Sequence, residues 1–316
     1  MLEALRDPHP LDEVTGGLSD LFGGDTGRAD ALLLDWGEAG LLTLEPDPAG
    51  GSFATGLPLP CGDLALGVMP GEADWFEAYR HLPAARVAAD RAFAAAAGDL
   101  GFVQVADASC RIVSRHLLAA AFRFGIMEHA LGACSDIALH CATLVLDGEA
   151  ILLLGQPGAG KSTLAWAASE KGLRLACDDI AFLAPQERTI MPLALPLTLK
   201  RGSWDRPPAR AATPVMRQDG VEVTYSPLPG PPVTAPLPIR ALIVLGRQDG
   251  GETRLERWPA TDCLRHLCSE ARSRTGTASA EDIDGLVALA SGADTARLVY
   301  HEAAEAAELL VRHLAR

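Results

Sequence analysis

Basic residues, aromatic rings and long apolar runs are all scarce in this sequence. Its 316 residues hold 27 Lys and Arg against 41 Asp and Glu, a formal net charge of −14. A nucleic-acid groove needs a basic face and an anionic bilayer attracts polybasic segments, so the charge argues against both as partners. No apolar run approaches the roughly 18 residues of a membrane-spanning helix. The start, MLEALRDPHPLDEV, lacks the basic and apolar regions of a secretory leader, and a cytoplasmic protein is expected. The seven cysteines adopt no zinc-ligand spacing; Cys263 and Cys268, five apart around His266, fit none. They read as reduced, buried thiols. With aromatic residues at 5%, core volume must come from Leu, Ala and Val.

What is present divides in two. At this length the chain can bury two cores. Residues 1–110 carry no motif with chemistry attached, and they read as a separate α+β N-terminal domain with a possible role in substrate recognition. ALLLDWGEAGLLTLEPDPAGGSF (31–53) has short apolar runs broken by Gly, Asp and Pro, which predicts short strands and turns. WFEAYRHLPAARVAADRAFAAAAGDL (75–100) is Ala-rich and predicts helix, interrupted near Pro83. SRHLLAAAFRFGIMEHALGA (114–133) predicts a helix leading into a second domain, 111–316.

That second domain opens with IALHCATLVLDGEAILLLG (137–155). Two apolar runs flank Asp147-Gly148, a strong hairpin signal, with Leu146 expected opposite Glu149. Continuing that register puts His140 opposite Gly155. The loop Gly155-Gln156-Pro157-Gly158-Ala159-Gly160-Lys161-Ser162 fits G-x-x-x-x-G-K-[ST], between a strand and a helix as the motif requires. Glycines let successive backbone N–H groups turn inward onto phosphate oxygens, and the helix N-terminus adds partial positive charge there. Residues 155–163, with Thr163 in the first helical turn, are the candidate nucleotide cradle. Lys161 would reach the β- and γ-phosphates of ATP, and the Ser162 hydroxyl would meet Mg²⁺.

The helix is expected to run from Lys161 to Lys171 and stop at Gly172. The next strand, 173–177, should return parallel to 151–154 through a right-handed crossover. Asp178 and Asp179 then emerge at the carboxyl edge, where such sheets place their sites. Adjacent residues of an extended segment point apart, so the two acids should divide their tasks. Asp178 is expected as general base toward an acceptor hydroxyl, with His140 and Lys161 as its catalytic companions, and Asp179 on the metal side. Beyond residue 185 the chain is proline-rich, with loops or edge strands expected at 205–238. IRALIVLG (239–246) predicts a buried strand, and TRLERW (253–258) another. The tail predicts three helices and one strand, with Ser279 and Asp282 placed as a helix N-cap.

These residues resemble the HPr kinase/phosphorylase superfamily, whose core is related to that of phosphoenolpyruvate carboxykinase. The likeness rests on His140 in LHCATLVLDG, GQPGAGKS (155–162), KGLRLACDD (171–179), LKRGSW (199–204) and the tail 286–314, and it spans about 135–315. It implies a P-loop core of that type, an active site of His140, Lys161, Ser162 and the Asp178/Asp179 pair, and phosphate transfer to a serine. Two features depart from the true HPr kinases. Their Glu-x-Arg-Gly signature is here Leu199 before Lys200-Arg201-Gly202, and their proline- and arginine-rich loop has no counterpart. The resemblance therefore implies neither phosphorylase activity nor HPr as substrate. The expected function is an ATP-dependent kinase acting on a hydroxyl of a peptide, protein or small molecule. The alternatives are an ATP sensor without transfer, and another P-loop small-molecule kinase or ATPase. Oligomeric state stays open.

Overall fold

In a computed structural model the chain is a mixed α/β protein whose described residues form three sheets. The residues described are 11–39, 52–69, 73–85, 90–134, 137–201, 214–217, 219–272 and 279–315. The first two helices are α1 (Leu11–Leu21) and α2 (Thr26–Glu38). Part of the segment expected as strands is thus helix: Asp25 caps α2 by accepting from the Arg28 amide, and Ala29 and Leu33 on one face are buried. Five strands follow: β1 (Ser52–Leu57), β2 (Leu64–Val68), β3 (Asp90–Ala97), β4 (Leu100–Val105) and β5 (Arg111–Ser114), in that order across one sheet. Between β2 and β3 lie one helical turn, α3 (Ala73–Phe76), and a 3-10 turn to Tyr79.

β3 contradicts the expected helix. Its DRAFAAAA is a good helix former by propensity, yet it lies between β2 and β4 and pairs with both. Tertiary pairing here overrides a weak local preference. Helix α4 (Leu118–Ala133) forms where expected. The boundary expected at residue 110 falls between β4 and β5, which pair with each other.

The largest sheet has ten strands. It begins with β6 (Ile137–His140), β7 (Ala142–Leu146) and β8 (Glu149–Leu154). The hairpin β7–β8 has the expected register, Leu146 opposite Glu149 through Ala142 opposite Leu153. Asp147 (φ 53°) and Gly148 (φ 82°) both take the left-handed conformation that a tight hairpin turn demands. After the glycine loop come α5 (Lys161–Ser169), β9 (Arg174–Cys177), β10 (Ile180–Ala184) and β11 (Thr189–Pro192). Helix α5 ends two residues before Lys171, and Gly172 turns the chain at φ 101°. β12 (Leu197–Lys200), β13 (Pro214–Met216) and β14 (Glu222–Ser226) form a separate three-stranded sheet. The remaining elements are β15 (Leu237–Arg247), β16 (Arg254–Arg257), α6 (Ala260–Glu270), β17 (Ala271–Arg272), α7 (Ala280–Gly292), β18 (Asp294–Tyr300) and α8 (Ala303–Leu314). Ser279 and Asp282 form the full capping box of α7.

β8, β15 and β18 run parallel and side by side. β9 shares their direction, but β7 lies between it and β8. The expected neighbour of β8 is therefore one strand further out, because the hairpin partner takes the adjacent place. Burial follows the two-residue period of a strand covered on both faces. Ile151 and Leu153 join one apolar cluster with α5 and α8, while Ala150, Leu152 and Leu154 join another with α6 and α7. The first cluster is continuous with Leu64, Leu66 and Val103 of the five-stranded sheet by way of Phe122 and Ile126 on α4.

Candidate active site

Two strands change partners at the same level, and the site forms there. β6 pairs with β10, but after Cys141 the chain enters β7 and pairs with β8 and β9. β9 pairs with β7, but after Asp178-Asp179 the chain enters β10 and pairs with β6. His140 consequently stands opposite Ile180, not opposite Gly155 as expected. The hairpin register does not extend past the break at Cys141. The switch brings His140 against the acid pair, with Nε2 3.4 Å from Asp179 Oδ1.

The glycine loop follows β8 directly. Gly155 (φ 154°), Gly158 (φ 89°) and Gly160 (φ 89°) all adopt positive φ. At Gly160 the need is double, since a Cβ would also collide with Tyr300 Oη. Tyr300 closes β18 and donates to Ala159 O at 2.7 Å, bracing the loop from the parallel strands. Lys161 is 6% exposed, and its Nζ donates to Gly155 O at 2.5 Å. Burial lowers its pKa, against the opposing pull of Glu270, Cys141 and the two aspartates.

The paired acids have different surroundings. Asp178 is 4% exposed and accepts from the Thr198 amide of β12 at 3.1 Å and from the Ser162 hydroxyl. Burial, then the charge of Asp179, push its pKa up to about 7, with Arg123 opposing. Asp179 is 31% exposed at the side chain and pairs with Arg123 at 3.0 Å. Burial would raise its pKa too, but Arg123 and His140 outweigh it and hold the carboxyl below the usual range. The two carboxylates thus differ in surroundings, and Ser162 bonds to Asp178, the acid expected on the acceptor side.

Arg123 and Glu270 belong to the site and went unread in the sequence. Arg123 is buried on α4, beneath the Tyr225 ring at 5.8 Å, and the two acids hold it charged against its burial. A lone arginine in AAAFRFG carries no motif; a charge inside an apolar helix face was the available signal. Glu270 ends α6, is 6% exposed and lies 3.3 Å from His140 Nδ1. Among the arginines that could serve phosphate, Arg206 and Arg210 lie outside the described residues, as do Gly202, Ser203 and Trp204 of LKRGSW. Arg188 reaches Ala288 O and Arg217 pairs with Asp219. Four cysteines are buried, Cys61 and Cys268 are exposed, and none of the seven is in a disulfide. Among the described residues no helix is long and apolar enough to cross a membrane, and no cluster of three or more His, Cys, Asp or Glu could hold a metal.

No family model matches the chain, and no curated protein matches it. Among solved structures it is similar to the Hpr(Ser) kinase/phosphatase from Coxiella burnetii. The identity is 13%, over 56% of this chain and 96% of that chain, with a TM-score of 0.26. A likeness at that level carries no argument for function; the side chains at the strand switch do.

Proposed function

We propose that the protein transfers the γ-phosphate of ATP to an alcohol, most simply a serine-type hydroxyl of a peptide, protein or small molecule. One observation carries the reading: a glycine loop with a buried lysine faces two unlike carboxylates and a histidine at a single strand edge. Backbone amides of residues 155–163 and Lys161 would hold the phosphates. Ser162 and Asp178 offer hard oxygen donors, the kind Mg²⁺ takes together with phosphate oxygens. The ion would neutralise charge developing on those oxygens.

The acceptor oxygen would bond to the γ-phosphorus as the bond to the ADP oxygen breaks, and its proton must go to a base. Acidity alone favours Asp178, whose pKa lies nearer neutrality. Access favours Asp179, which is only half-buried beside His140 while Asp178 is almost sealed. A cation at Ser162 would also return Asp178 to its ionised form. We therefore assign Asp178 to the metal side and Asp179, with His140, to the acceptor, the reverse of the order expected from sequence. Acceptor recognition is assigned to the N-terminal elements, whose described residues include none of the side chains named at the strand edge.

Purified protein given γ-labelled ATP, Mg²⁺ and pools of peptides and small alcohols tests the reading. Label on a hydroxyl that is lost in Lys161→Ala supports it. Asp179→Asn should then lower kcat about 100-fold or more with nucleotide affinity kept, whereas Asp178→Asn should weaken Mg²⁺-dependent ATP binding. Intact ATP binding without transfer to any acceptor would favour a sensor.

A further inference from the structure

We infer that Glu270 is a positioning residue that fixes the tautomer of His140, so that Nε2 and Asp179 together present two acceptors to one incoming hydroxyl. The inference rests on the proposed kinase reading for its function, but its geometry stands alone.

Position comes first. Glu270 is the last residue of α6, and the chain passes directly into β17, where Ala271 pairs with Leu139 and Arg272 with Ala138. That short pairing locks the helix end beside β6, whose last residue is His140. The Glu270 carboxylate therefore meets the ring from the side opposite Asp179: Nδ1 to Glu270 Oε2 is 3.3 Å, and Nε2 to Asp179 Oδ1 is 3.4 Å.

Hydrogen-bond inventory then decides the rest. A neutral imidazole has one N–H and one lone pair, and each ring nitrogen here faces a carboxylate oxygen. Burial, then Lys161, lower the pKa of His140 against the two acids, which keeps the ring neutral at physiological pH. The single ring proton must go to one acid. Glu270 is nearly sealed from water, and the Lys161 ammonium that acts on it donates instead to Gly155 O; a buried carboxylate without a hydrogen-bond donor is costly, whereas Asp179 already has Arg123 at 3.0 Å. The proton belongs on Nδ1, facing Glu270. Nε2 is left with its lone pair toward Asp179, and two acceptors at 3.4 Å leave the place of the shared proton to a third group. An acceptor alcohol supplies it: its proton passes to Asp179 or Nε2 as its oxygen forms the bond to phosphorus. A carboxylate that orients a catalytic imidazole in this way is a recurring device.

Two readouts test this on the full chain. Long-range ¹⁵N–¹H spectra of ¹⁵N-histidine-labelled protein at pH 8, with His140 assigned through His140→Gln, report the tautomer directly. The Nδ1–H form is expected in wild type, and the Nε2–H form there would overturn the inference without any variant of Glu270. In Glu270→Leu, a replacement of similar volume, the Nε2–H form should gain, and kcat for transfer should fall about 100-fold with the KM for ATP unchanged. A folded Glu270→Leu protein with wild-type tautomer and kcat would equally overturn it. If the wild type transfers no phosphate, the kinase reading fails while the spectra still judge the Glu270–His140 pairing.

Discussion

Asp178 and Asp179 are neighbours in sequence, yet pH acts on them with opposite sign. Asp178 has a raised folded pKa, near 7. Between the unfolded value and that point the native state holds a proton that the unfolded chain has released, so stability falls as pH rises from about 4 to 7. Asp179 has a depressed pKa, so its contribution is present above the unfolded value and is lost as pH falls below it. Urea unfolding of metal-free protein across pH 4–8 should show the decline. Asp178→Asn should flatten it, gaining relative stability at pH 8 on the order of a few kcal/mol. Arg123 is the cation both acids depend on. Arg123→Met should cost about 3–5 kcal/mol by leaving buried negative charge uncompensated, read as a shift of the denaturation midpoint. Arg123→Lys should recover part of the loss, since one ammonium keeps the charge but not the planar fork.

At the scale of elements, what was legible follows from how local the governing interaction is. The β7–β8 hairpin and the α7 capping box were legible to the residue, because the deciding contacts lie within four positions of each other. The glycine loop was legible because positive φ demands glycine in a fixed order. β3 was not, since AFAAAA becomes a strand only through pairing with β2 and β4. The same holds for the break at Cys141. Nothing in LHCATL announces that residues 137–140 and 142–146 pair in different arms of one sheet, and that break turns His140 toward Asp179. Arg123 and Glu270 lie 55 or more positions from the pair in sequence and reach the site only through packing. Removing a local device should have a local effect. Ser279→Ala should cost about 1 kcal/mol and leave any transfer activity untouched, as thermal melting and the labelled-ATP assay would show together.

Across the whole molecule, the two large sheets are joined by α4. Phe122 and Ile126 pack within the cluster that reaches from β2 and β4 to α5 and α8, while Arg123 between them serves the acids. His81, ahead of β3, bonds to Ala194 O in the segment between β11 and β12. A protein beginning at residue 111 would keep every motif and strip the apolar face of α4. It should aggregate or melt far below the full chain, by size-exclusion chromatography and calorimetry. Acceptor recognition by the N-terminal elements is therefore better tested by surface substitutions than by deletion.

Tyr300 braces Ala159 from β18, near the end of the chain. The motif is spelled out by residue 162, but its support is translated almost 140 residues later. During synthesis the glycine loop emerges long before Glu270 and Tyr300 leave the ribosome, so a nascent or prematurely terminated chain displays the signature without its brace. The brace on the loop is thus among the last contacts of the fold to become available during synthesis.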